Sequence, residues 1–260
     1  MPARTGWTRQ QTLVALYLYC QSPFGKLHSG NPDIVKCAEL IHRTPSALAM
    51  KLTNIASLDP AMTAAGRSGL RNVSATDRAM WEEMQTDWHR FAAEARQAAS
   101  ALGVAAQFEA DVDDSGMPDE VLDYTGSDRT AQATIRLGQA FFRRTVLSAY
   151  DYRCCITGLA VPALLVASHI VPWRVDVKNR LNPRNGLCLS ALHDRSFDAG
   201  IITITENMTV SVSGKYAAAN EDRFFEAALS VYDGMPITLP EKFRPHPKFL
   251  AFHRQHIFQP

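Results

Sequence analysis

Three residues, His169, Asn185 and His193, occur in an order and at intervals suited to phosphodiester chemistry. A neutral imidazole with a pKa near the working pH can take a proton from an attacking water, and His169 is placed for that task at the end of an apolar run. Asn185 can hold a neighbouring group by its amide without adding the negative charge that would raise the pKa of the base. His193 follows on a helical stretch, where a second imidazole can bind a divalent cation. Asp194 and Asp198 lie one helical turn apart on the same stretch, and Ser168 directly precedes the base. A hard cation offsets charge on the phosphorane-like transition state and on the leaving oxygen. One imidazole with oxygen donors and waters suits Mg²⁺ or Mn²⁺, one ion per site. A serine hydroxyl is a weak ligand, and neighbouring strand residues face opposite ways, so Ser168 is the least secure member of the set. Any one of these residues alone has an ordinary structural reading; their joint order carries the argument.

The elements that must hold these groups can be read on either side. A strand is expected near Leu164–Ala167, ending at His169. Asn185-Gly186 is expected to open a turn, and Leu187 to Phe197 to supply a second strand end and a helix. Ala131 to Tyr150 reads as a helix with Ile135, Phe142, Val146 and Leu147 inward and Arg136, Arg143 and Arg144 available to phosphates. Ile201–Thr205 and Met208–Val212 alternate about Glu206-Asn207 as a hairpin. An extended segment from Leu239 to Pro245 leads to a short helix around Phe249–Arg254. His246, His253 and His256 sit among Pro, Lys and Phe, which favours packing over ligation.

Three segments together, Ser168-His169-Ile170-Val171-Pro172-Trp173, Arg180 to Leu189, and His193-Asp194-Arg195-Ser196-Phe197-Asp198, resemble the HNH endonucleases, whose fold is the ββα-metal unit. The likeness spans about fifty residues in order and is nearest to restriction-type and bacterial defence members. It implies that His169 is the general base, that Asn185 orients it and shapes the loop, and that His193 binds the cation with Asp194, Asp198 or Ser168. Many relatives carry Asp or His directly before the base, where this chain has Ser168. Many also hold a structural zinc through two Cys-x-x-Cys pairs. Here Gly158 and Ala191 stand where the partners of Cys155 and Cys188 would be, so no structural zinc is expected. Packing by Leu187, Leu189, Phe197, Ile201, Ile202 and Ile204 should take its place.

A chain of 260 residues with 46% hydrophobic content can bury a real core. Its net charge of +1 conceals segregation. Residues 94–128 hold nine acids against Arg96 alone, and residues 129–184 hold nine bases against Asp151 and Asp176. A basic block beside such a site suits a polyanion, and Arg143, Arg144, Arg174, Lys178, Arg180 and Arg184 are its candidate DNA contacts, although solvated surface charge is the plain alternative. Five scattered cysteines argue against a secreted disulfide framework, and no apolar run is long enough to span a bilayer. The apolar stretch Leu13–Cys20 lacks a signal-peptide cleavage site; a cytoplasmic protein is expected.

Three short helices are expected within residues 7–58, followed by a long helix over residues 74–103 that Ser74 and Asp77 cap as a box. Trp7-Thr8-Arg9, Arg43-Thr44-Pro45-Ser46-Ala47 and Lys51-Leu52 resemble Myb-like helix-turn-helix modules over about fifty residues, which would set Ala47, Lys51 and Asn54 on a DNA-reading face. A helical bundle that only packs or dimerises is the competing reading. The whole is expected to be an α+β protein: a helical module over 1–73, a long helix and acidic linker over 74–128, and a ββα-metal nuclease domain over 129–260. Double-stranded DNA, modified or not, is the expected partner, with a possible homodimer. The acidic linker could shield the basic block. A DNA-binding regulator without cleavage activity and a nonspecific DNA or RNA nuclease are the alternatives.

Overall fold

The computed structural model describes residues 6–64, 73–105, 129–219 and 222–260, with side chains in the first helix after residue 128 described from Ile135 onward. The acidic segment expected to act as a linker lies mostly outside the described residues, as does any shielding by it.

The N-terminal helices start where local chemistry starts them. Thr8 caps α1 (Arg9–Gln21) in a capping box with Gln11. Asn31 and Thr44 cap α2 (Pro32–Leu40) and α3 (Pro45–Ala56), each with proline at its first position. A short α4 (Pro60–Ala64) follows. Residues 12–21 of α1 are buried on every side, so this helix runs through the interior and has no solvent face.

The long helix expected over 74–103 is two helices. Ser74 and Asp77 form the expected box on α5 (Ala75–Thr86), but Asp87 leaves the helical region at φ −146°, ψ 89°. Its carboxylate accepts from the Arg90 N–H at 2.9 Å and restarts the chain as α6 (Trp88–Ala101). An Asp that can satisfy the orphan amides of a new first turn competes with helix continuation. Met80, Trp81, Met84, Trp88, Phe91 and Ala95 are buried across the break, as their spacing requires.

Helix α7 (Arg129–Ala149) packs on the hairpin of β1 (Leu165–His169) and β2 (Gly186–Ser190), antiparallel with Leu165 opposite Ser190 and His169 opposite Gly186. Ile135, expected inward, is 36% exposed. Helix α8 (Ala191–Asp198) leaves β2 directly, capped by Ser190. Asn185-Gly186 is not a hairpin turn. Asn185 ends a 3₁₀ turn over Pro183–Asn185, and Gly186 is extended within β2. Glycine is required there by close packing, because a Cβ would meet Val146 Cγ2 at 2.5 Å and Phe142 Cζ at 3.0 Å. A second hairpin, β3 (Ile202–Ile204) with β4 (Val210–Val212), leads through α9 (Gly214–Ala219), α10 (Arg223–Ala228) and a 3₁₀ turn to α11 (Pro247–His256).

One continuous core joins the N-terminal helices to the hairpin region. Lys242 is wholly buried, and its ammonium donates to the carbonyls of Tyr19, Cys20 and Ser22 at the C-terminal end of α1. Phe243 packs against Trp81, Trp88 and Tyr19, and Ser148 of α7 donates to the Cys20 carbonyl at 2.8 Å. Packing therefore crosses both expected boundaries, 73/74 and 128/129. No helix among the described residues is long and apolar enough to cross a membrane.

Candidate active site

The pleat of β1 sends Ser168 and His169 to opposite faces, toward α8 and α7 respectively. The half-buried His169 ring stacks on Phe142 of α7 with centroids 3.9 Å apart and planes 11° from parallel. Trp173 presents to it edge-on at 5.4 Å. His169 Nε2 lies 2.9 Å from the Arg180 carbonyl oxygen. A carbonyl only accepts, so Nε2 carries the proton and Nδ1 is the basic nitrogen of the neutral ring. Burial pushes the pKa of His169 down to about 4, partly opposed by that carbonyl and reinforced by the Arg180 charge. The imidazole is thus neutral at ordinary pH, but burial makes it a weaker proton acceptor than the base with a pKa near the working pH that the sequence suggests.

The loop behind the ring is fixed by Asn185, which is fully buried. Its Oδ1 accepts from the Val171 N–H at 2.8 Å, and its amide donates to the Val171 and Asn179 carbonyls at 3.1 and 3.4 Å. Its own carbonyl accepts from the Ile170 N–H at 3.0 Å. Asn185 therefore staples the chain just after His169; its amide is spent on backbone two residues beyond the base. Arg180 completes the loop by donating from Nε to the Trp173 carbonyl at 2.7 Å, its guanidinium 5.0 Å from the Trp173 ring centroid.

On the other face, Asp194 is half-buried, and burial pushes its carboxyl above the usual range. Ser168 is near enough to lower it slightly, though the buried Ser168 hydroxyl forms no well-aligned hydrogen bond. Asp198, a turn further along α8, is exposed. His193 is 3% exposed and turned elsewhere. Its Nδ1 lies 2.8 Å from Ser190 Oγ, Tyr232 covers it edge-on at 5.4 Å, and its buried Nε2 makes no well-formed hydrogen bond. Burial lowers its pKa, with the Ala228 carbonyl acting in the opposite direction. The structure thus brings Ser168 to Asp194, while His169 and His193 share none of these neighbours. Among the described residues no group of three or more His, Cys, Asp or Glu side chains could hold a metal ion.

The expected DNA contacts divide. Arg174 and Lys178 are exposed on the loop after the base, interleaved with Val175 and Val177, which are 58% and 59% exposed. Arg143 donates to the Leu165 carbonyl at 2.8 Å and Arg184 to that of Arg244 at 3.2 Å, while Arg144 is half-buried. Lys51 does not lie on an outer face. It is buried in an ion pair with Asp77 at 2.7 Å and stands over the Trp7 ring, and Asn54 is half-buried. The capping box of α5 docks against α3 and recruits the lysine, which removes Lys51 from any DNA-reading surface.

Two neighbours of the histidines have no signal in the sequence. Phe142 bears only the mark of an inward helical position, and nothing local ties it to His169. Tyr232 lies 39 positions beyond His193, in a segment with no chemical pattern. Cys154, Cys155 and Cys188 are all buried near one another, with the Cys188 thiol pushed up to about 12 by burial. Leu187, Leu189, Phe197, Ile202 and Ile204 belong to the same buried core, with Ile201 half-buried against it. His253 is buried too. Its Nε2 donates to the Phe197 carbonyl at 3.0 Å and its Nδ1 meets Thr203 Oγ1 at 2.9 Å, a packing role.

Residues 154–205 match the family model described as HNH endonuclease. The matched segment runs from Cys154 through β3 and contains His169, Asn185, His193, Asp194 and Asp198. This part of the chain is thus similar to nucleases that hydrolyse phosphodiester bonds of nucleic acid, and the match supports the HNH family for it. No curated protein matches the chain.

Proposed function

We propose that the protein is a divalent-cation-dependent endonuclease acting on double-stranded DNA. The observation that carries this is His169: a neutral ring with its tautomer set by the Arg180 carbonyl, its basic Nδ1 left for a water, and a cationic loop beside it. In this reading Nδ1 takes the proton of the attacking water. The Arg180 carbonyl steadies the imidazolium that forms, and Phe142 keeps the ring from turning. Asn185 is a positioning residue that holds Val171, and with it the end of β1.

Two oxygen donors lie side by side in a manner suited to a hard cation. Asp194 carries a carboxylate that burial alone makes costly, and beside it lies a buried serine oxygen with no aligned partner. Asp194 and Ser168 would hold Mg²⁺ or Mn²⁺ with water and the scissile phosphate completing its shell; His193, buried beneath Tyr232, and Asp198, exposed a turn further on, are not brought to that pair. When bound, such an ion would supply positive charge to offset the negative charge developing on the scissile phosphate and the leaving oxygen. Arg174 and Lys178 meet phosphates directly, while Arg143, Arg180 and Arg184 brace the backbone of the site and lend it charge. Restriction of foreign DNA, modified or not, is the setting we assign, with a homodimer supplying two sites for double-strand cutting.

One observation favours DNA binding without cleavage: His193 is sealed beneath Tyr232. Supercoiled plasmid, methylated and unmethylated, separates the two. The endonuclease reading expects nicking or linearisation with Mg²⁺ or Mn²⁺, arrest by chelator, and loss of cutting in Asp194→Ala. Retarded plasmid that stays supercoiled under every metal and methylation state contradicts it.

A further inference from the structure

We propose that the cavity between α6, α7 and the loop after His169 receives a nucleobase extruded from the DNA strand presented to that histidine. The proposal rests on the endonuclease reading and specifies how its substrate is held. The cavity measures about 450 Å³, within the range of sites that take small planar ligands. Trp173 belongs to both places: it lines the cavity and meets the His169 ring edge-on at 5.4 Å. A strand laid across His169 therefore runs past the mouth.

The walls suit the faces of a base. Ile135, Phe141 and Leu181 line the cavity with Trp173, and aromatic or apolar walls stack on any base because each presents a π-face. Gly138 lets α7 approach this closely, since a Cβ there would meet Leu181 Cδ1 and Cδ2 at 3.3 Å. The rim suits base edges and the adjoining phosphates. Arg96, Gln97 and Arg180 supply donors, and no acid occurs among the described lining residues. Another cavity, beside α5, is lined by Glu82, Glu83, Asp87 and Glu94 against Arg9 and Arg90 and is acidic on balance, which suits this ligand less well. The exposed Ile135 and Val177, at 36% and 59%, are apolar surface that a lodged base would cover.

Extrusion costs a few kcal/mol of stacking and pairing, and least where the base is already unpaired. The protein should therefore bind a duplex with one central mismatch about 10-fold more tightly than its matched counterpart. Fluorescence anisotropy on 30-base-pair duplexes, with chelator present to prevent cutting, measures this. One base of the mismatch is 5-iododeoxyuridine, and near-ultraviolet irradiation followed by mass spectrometry locates what it touches. Cross-links to Trp173 or Phe141 are expected. Ala93→Trp and Gln97→Trp each place a large ring at the exposed mouth without disturbing the core. Both should reduce the mismatch preference to near unity and abolish the cross-link, and Ala93→Trp, which removes no donor, should keep matched-duplex affinity within 2-fold of wild type. Equal affinity for the two duplexes, cross-links confined to Arg174–Lys178, or a preference untouched by both variants overturns the pocket. Cleavage that persists under those results leaves the endonuclease reading standing, whereas failure to bind either duplex ends both.

Discussion

The pKa of His169, pushed down to about 4, has a direct kinetic consequence. A base with that value stays deprotonated through the mildly acidic range, so the acid limb of kcat/KM should not appear near the ordinary histidine value of 6.5. The rate should instead hold below 6 and fall only as the pH approaches 4, with cutting read at fixed metal concentration; a limb centred at 6.5 would show the ring to be exposed before substrate binds. Asn185 is tested by stability as well as activity. Asn185→Ala strands two buried backbone groups of Val171 and the half-buried Asn179 carbonyl, and a loss of about 2–3 kcal/mol in urea unfolding is expected, with activity falling alongside. These two residues are legible in sequence because their types announce their chemistry. Lys51 is not, because helical periodicity assigns a face but not its neighbour. Which side of α3 meets solvent depends on where Trp7 and Asp77 arrive, and neither is local. Removing one member of that pair, as in Asp77→Ala, leaves a buried ammonium and should cost about 3–5 kcal/mol, whereas a free outer-face lysine would give almost nothing.

At the scale of elements, starts are easier to read than ends. Thr8, Thr44 and Ser74 cap as their sequences require, because a cap joins residues three apart. The break at Asp87 leaves no mark, since Thr86-Asp87 interrupts no apolar spacing. Gly186 is visible as a glycine, yet its reason lies in Val146 and Phe142 on another helix. The loop from Ile170 to Arg184 acts as the site's positioning element, and its charged tip should meet the DNA. Replacing Arg174 and Lys178 together by alanine should weaken binding uniformly across sequences and make the salt dependence shallower by about one per phosphate left unneutralised. An unchanged slope would move the phosphate track elsewhere.

For the whole molecule, the strand–strand–helix unit around His169 is readable, while its integration with the N-terminal helices is not. A lysine in Glu241-Lys242-Phe243 gives no sign that it will end buried at the terminus of α1. Burial lowers its pKa to about 7, a measure of how poorly hydrated that junction is. Stability should also depend on pH through the buried histidines. His169 and His253 have folded pKa values near 4 against about 6.5 unfolded, so above 6.5 neither state binds a proton at these groups. As the pH falls from 6.5 toward 4 the unfolded chain takes up protons first, and stability declines, by roughly 3 kcal/mol for the fully buried His253. Asp59 and Asp194, whose carboxyls burial pushes up, act in the opposite sense, because the folded chain takes up those protons first as the pH falls. His253→Gln should flatten the decline in a melting-temperature series, and an unaltered slope would assign it to other groups.

The proposed role of His169 is to act on water at a site assembled for DNA. The sharpest measurement compares wild-type protein with His169→Ala for both binding and cutting of one plasmid substrate in Mn²⁺. The predicted result is equal affinity within about 2-fold together with a fall in cleavage of at least 100-fold, the scale at which a general base contributes. Cleavage by His169→Ala at the wild-type rate would contradict the claim.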